Sequence, residues 1–119
     1  MKCCICGKEI EGYGNSALPL VEGVCCDACN HHVVIPARIF LSPTGKGFRD
    51  FIMNENPKAD VGAKVLILEM QGEADYFGKV GIIEHIDSIG QLHGTWGGCA
   101  LIPTTDTYFV IDEGVNANG

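Results

Sequence analysis

Six of the seven cysteines in this chain lie within its first 29 residues, and their spacing is that of metal ligands. Cys3 and Cys6 form one Cys-x-x-Cys pair and Cys26 and Cys29 form another, with nineteen residues between them. Such a loop aims two sulfurs at one tetrahedral ion, and two loops complete a four-thiolate site. The expected cofactor is one structural zinc ion. Four thiolates leave no open coordination position, which argues against chemistry at the metal. Gly7 follows Cys6 and Asn30 follows Cys29. Both residue types tolerate positive φ, so each pair is expected to turn backbone N–H groups back toward its sulfurs. Cys25 is the rival to Cys26, because a Cys25-x-x-x-Cys29 spacing also falls within the ligand range. Cys4-x-Cys6 is too tight a bite. His31 and His32 could stand in for Cys29, but they read better as solvated residues in the first turn of a helix.

Clustered thiols need a reason in a reducing compartment, and metal supplies one. The opening Met-Lys-Cys-Cys-Ile-Cys-Gly lacks the apolar stretch of a signal peptide, and no apolar run approaches membrane-spanning length. The expectation is a cytoplasmic protein with no membrane role. Charge is uneven along the 119 residues: the net −7 falls entirely on residues 65–119, where Lys79 is the one base against eight acids. That half is a poor candidate for contact with phosphates.

These features imply distinct elements. Residues 1–41 are expected to form a treble-clef-like Cys4 zinc module, with a helix from Cys26 to Ile35 carrying the second knuckle. A segment this short would otherwise struggle to bury a core. Residues 42–60 read as a connection, with a short helix over Phe48–Glu55 closed by Asn56-Pro57. From Val61 the texture becomes β-branched runs cut by Gly. Strands are expected at Lys64–Met70, Lys79–Ile86, Gln91–Trp96, Cys99–Ile102 and Thr107–Asp112, with a tight Gly97-Gly98 turn. Five short strands suit a small SH3-like β-barrel over 61–112, which hides its edges by closure. The fold class is therefore small α+β, mostly β. Residues 113–119 read as a frayed tail.

The run Met1 to Asn15, then Cys25-Cys26-Asp27-Ala28-Cys29-Asn30 and Val34-Ile35-Pro36-Ala37-Arg38, resembles small hypothetical proteins of Firmicutes and their phages. Residues 61–112 resemble an uncharacterised family of small domains from the same genomes. Its marks are Gly78-Lys79-Val80-Gly81 and the run from Ile89 to Pro103, Ile-Gly-Gln-Leu-His-Gly-Thr-Trp-Gly-Gly-Cys-Ala-Leu-Ile-Pro. The resemblance implies phage or mobile-element origin and no assigned activity. Gly78-x-x-Gly81-x-Ile83 is also similar to the KOW motif of ribosomal and transcription-factor barrels, although the acidic charge opposes RNA binding.

The leading functional expectation is a non-enzymatic binding or adaptor protein whose acidic barrel contacts a protein partner. The acidic loop between the first two strands offers Glu73, Asp75 and Tyr76, placed as SH3 domains place the groups that grip basic peptides. His93 and Trp96 complete the candidate surface. By strand alternation, however, Trp96 shares the face of Leu92 and reads at least partly as core. Cys99 with His85 and His93 would be needed for thiol catalysis, and Cys99 reads instead as a buried thiol. The alternatives are a nucleic-acid-binding regulator using Lys2, Lys8, Arg38, Lys46 and Arg49 of the zinc module, and a phage anti-defence protein acting as an acidic inhibitor or small-molecule sponge.

Overall fold

The computed structural model describes residues 1–113, so residues 114–119 of the expected tail lie outside it. The chain divides into two compact units, Met1–Ile52 and Met53 onward. The boundary falls within the expected 42–60 connection and cuts a helix there.

The first unit begins with a loop whose ends meet in a bridge between Lys2 and Glu9. A two-residue hairpin follows, β1 (Asn15–Ser16) against β2 (Val24–Cys25). The chain then turns helical through α1 (Asp27–Cys29), a π turn at Asn30–Val34, and α2 (Ile35–Leu41). The helical run therefore passes the expected stop at Ile35. Proline has no N–H, and its ring crowds the carbonyl one turn earlier. The π turn widens the backbone just ahead of Pro36, with the Ile35 N–H donating to the Asn30 carbonyl, and Pro36 sits in the first turn of α2. Val33, Val34, Ala37 and Phe40 are buried at helical spacing, while Arg38 and Ile39 face outward. Arg38 donates from Nε to the Leu18 carbonyl at 2.9 Å and from Nη2 to the Ser16 carbonyl at 3.1 Å, fastening the hairpin side. The run ends at Ser42, which is extended because Pro43 follows it. A 3₁₀ turn (Lys46–Phe48) leads into α3 (Arg49–Glu55), the helix that the unit boundary divides.

The second unit is one antiparallel sheet with strand order β5-β4-β3-β6, comprising β3 (Lys64–Glu69), β4 (Val80–Ile86), β5 (Leu92–Gly94) and β6 (Thr107–Asp112). The expected fourth strand, Cys99–Ile102, is reduced to one bridge in which Leu101 pairs with Leu92. Among the described residues no ladder joins β5 to β6, so the sheet is open where a closed barrel was expected. Asn56 blunts part of the β6 edge. Its side-chain amide donates to the Tyr108 carbonyl at 2.9 Å and accepts from the Val110 N–H at 3.0 Å, as a neighbouring strand would.

β3 is central, and Val65, Leu66, Ile67 and Leu68 are all buried, so it carries apolar side chains on both faces. One face joins Val65 and Ile67 to Ile83, Leu92, Trp96, Leu101, Tyr108 and Val110 in a continuous core. The indole of Trp96 lies on Gly94 and Gly81, and its Nε1 donates to the Cys99 carbonyl at 2.8 Å. A methyl group at Gly94 would overlap the indole and the Ile82 carbonyl. Gly94→Ala is accordingly expected to lower stability by about 1–3 kcal/mol, the usual cost of overpacking. Urea unfolding followed by the emission of Trp96, the single tryptophan, reads this directly. An unchanged midpoint would show that the indole moves aside freely.

Candidate metal centre

The first knuckle is held by backbone bonds that the sequence dictates locally. The Cys3 N–H donates to the Lys8 carbonyl at 2.8 Å, and the Gly7 N–H to the Cys3 carbonyl at 3.0 Å. Gly7 has φ +80°, the left-handed conformation that closes the loop and that a residue with a Cβ disfavours. Two further N–H groups, of Ile5 and Cys6, point at the Cys3 sulfur from 3.4 Å.

The second knuckle is built differently. Cys26 caps α1 in an extended conformation, and its sulfur accepts from the Cys29 N–H at 3.5 Å. Asn30 has φ −59°, so the expected positive φ is corrected there. The residue continues a helix, and the helix start directs N–H groups toward the sulfur without any reversal of the chain.

These two loops bring Cys3, Cys6, Cys26 and Cys29 together, with all four sulfurs within 4.8 Å of one another and Cys6 Sγ 3.8 Å from Cys26 Sγ. They are close enough to hold one metal ion. Cys25, the rival, stands outside the set: it lies in β2, opposite Asn15, fully buried. Neighbouring strand residues point to opposite sides, and that alternation separates Cys25 from Cys26. Cys4 also stands outside, as do His31 and His32, which are exposed and contact each other edge to face at 5.0 Å between ring centres. No cysteine is in a disulfide among the described residues.

The electrostatics of the cluster favour a cation. Burial pushes the Cys3 thiol up, but N–H groups of Cys6, Cys26 and Ile5 aimed at its sulfur outweigh this and bring it down to about 6. Burial, together with hydrogen bonds that the thiols themselves donate to neighbouring sulfurs, pushes Cys6 and Cys29 up. Burial and the charges of Cys3 and Cys4 push Cys25 up to about 11. Four sulfurs at this separation cannot all ionise without a compensating positive charge. A divalent cation would supply it.

The residues expected to contact a partner are divided by the fold. Glu73 and Asp75 are exposed beside a 3₁₀ turn at Ala74–Tyr76. Tyr76 is half-buried against the core, and the Cys99 thiol beside its hydroxyl raises its pKa. Trp96, offered as part of the partner surface, is corrected to core at 4% exposure, the placement that strand alternation favoured, and it has no area to offer a partner. Cys99 is half-buried at the margin of that core. His93 lies elsewhere, on β5, with Nε2 2.9 Å from Asp87 Oδ2. The hydrogen bond from His93 lowers the Asp87 pKa. Its contribution to the hairpin is therefore present above the ordinary carboxylate range and is lost as pH falls through the depressed value.

Divided by units, the charge separates as it does by halves. Five bases balance five acids in residues 1–52, and three bases face ten acids in the remainder. No helix among the described residues is long and apolar enough to cross a membrane. No family model, no curated protein and no solved structure matches this chain.

Proposed function

We propose that the chain is a zinc-stapled, non-enzymatic binding protein of phage or mobile-element origin, whose acidic second unit contacts a protein with a basic surface. The observation that carries the zinc staple, on which the rest of the reading is built, is the convergence of the four cysteine sulfurs. Tetrahedral sulfurs about 2.3 Å from zinc lie roughly 3.8 Å apart, the separation of Cys6 from Cys26. A knuckle, a hairpin and a helix that begins at the second ligand pair is a treble-clef-like order. All four ligands are thiolates, so the ion serves stability. A reducing cytoplasm goes with this chemistry. For the second unit, the order β6-β3-β4-β5, extended by the Leu101 bridge beyond β5, supports an SH3-like sheet whose fourth strand has shrunk to one pair.

The charge of the second unit supports a basic partner, with Glu73 and Asp75 as the exposed acids of its loop. The nucleic-acid alternative is weakened by what three of its five cations already do. Lys2 lies 3.6 Å from Glu9, Arg38 is spent on two backbone carbonyls, and Lys46 sits 4.4 Å above the Phe40 ring. The test is affinity purification of the zinc-loaded protein, with Glu73→Lys/Asp75→Lys as the control. A specific protein retained by the parent and lost by the control is the expected result. Retention on heparin at low salt that disappears at high salt, with no protein captured, would replace this reading with the nucleic-acid one.

A further inference from the structure

The four histidines of this chain form two pairs, and the pair on the β4–β5 hairpin is built by an irregularity in the sheet. Ile83 pairs with Gly94, His85 with His93, and Ile86 with Leu92, leaving Glu84 as an extra residue in β4. Regular alternation would put His85 on the face of buried Ile83. The bulge turns both Glu84 and His85 outward, and Ile86 and Leu92 return to the core. Re-aiming a side chain in this way is a recurrent use of a bulge. His85 thus stands directly across from His93, with ring centres 5.6 Å apart. Asp87 is fixed beside them. Its Oδ1 accepts from the N–H groups of Ile89 at 3.1 Å and Gln91 at 2.9 Å, and its Oδ2 lies 2.9 Å from His93 Nε2.

We propose that His85 and His93 chelate a divalent transition-metal ion across the two strands, with Asp87 as the carboxylate that orients His93. Two imidazoles on directly opposed residues suit ions of the nickel, copper and zinc class. A carboxylate on one ring nitrogen fixes the tautomer and leaves the other nitrogen for the metal, an arrangement common around histidine ligands. His85 is exposed, so its ring can rotate to share the ion, and water completes the coordination shell. The excess of acids in this unit raises the local concentration of cations. The site is independent of the cysteine cluster and of the partner reading.

Nickel(II) titrated into the zinc-loaded protein tests this, with zinc retention measured alongside. The expected result is one nickel per chain, with selective paramagnetic broadening of the NMR signals of residues 85, 87 and 93. His85→Ala and His93→Ala should each weaken binding at least tenfold, and Asp87→Asn by about tenfold, in the range for lost outer-shell partners. His31→Ala/His32→Ala should leave the affinity unchanged. No binding at submillimolar nickel, binding that survives both His85→Ala and His93→Ala, or binding that follows His31 and His32 would overturn the proposal. Unchanged affinity in Asp87→Asn would remove Asp87 from it.

Discussion

Stripping the bound ion with a strong chelator is expected to unfold residues 1–52, and Cys29→Ser is expected to do the same without a chelator. The protein purified under reducing conditions should carry one zinc per chain. The expected effect is large because so short a unit buries little apolar surface of its own. Structural zinc contributes apparent folding free energies of about 10–16 kcal/mol near neutral pH in small modules. Serine offers a much weaker donor at Cys29, and the remaining thiolates would be left crowded around an incomplete site. Loss of the helical circular dichroism of α1 and α2, together with metal analysis, reads the outcome. Cys4→Ser and Cys25→Ala should keep one zinc, since neither sulfur belongs to the four that converge. The pH dependence has a definite sign. Thiols must lose protons to bind the ion, and Cys6 and Cys29 are held above their ordinary values, so zinc binding should release protons and weaken as pH falls. Metal-free protein that retains its helical signal would overturn the staple.

Asp106→Ala is the second large expected effect. Asp106 is buried at 1% exposure, and it links two loops that are distant in sequence. Its Oδ1 accepts from the Gln71 N–H at 2.9 Å, after β3, and its Oδ2 from the Ile102 N–H at 2.8 Å, before β6. Its own N–H donates to the Ile102 carbonyl at 2.8 Å, closing the turn that delivers the chain to β6. Alanine removes both acceptors and strands two donors. Hydrogen bonds to a charged group contribute roughly 1.5–3 kcal/mol each, so a loss of about 3 kcal/mol is expected. That is a large fraction of the 5–15 kcal/mol typical of a whole domain. Urea denaturation read through Trp96 measures it, and Asp106→Asn, which keeps one acceptor oxygen, should fall between. A shift below about 1 kcal/mol would mean that water replaces the carboxylate, at odds with its burial.

The cysteine pairs and the strand texture were legible because they are local. A Cys-x-x-Cys loop is decided by a few neighbouring residues, and Gly7 adopts the positive φ its type suggests. Runs of β-branched residues read correctly as β3 and β4 to within a residue or two, and β6 matched its expected bounds. Asn30 misled because its conformation is set by the helix it continues, not by its own tolerance. The helix expected to end at Ile35 ran on because a π turn precedes Pro36 and leaves the proline in the first turn of α2. Cys99–Ile102 looked like a strand by composition, but among the described residues only Leu101 found a strand partner.

Legible without any structure were therefore the two Cys-x-x-Cys pairs with Cys25 as a rival to Cys26, the class of most elements and the sign of the charge on each part. Those depend on residue type and short spacing. The tertiary structure decided everything that needs two distant segments to meet. It chose Cys26 over Cys25, took Trp96 into the core against Gly94, and set Asn56 along the β6 edge. It also placed Asp106 between two loops and brought His85 across from His93. The last of these turned on one extra residue in β4. Side chains alternate with a period of two along a strand, so a single bulge decides which face every later residue presents, and no local preference in the sequence announces it.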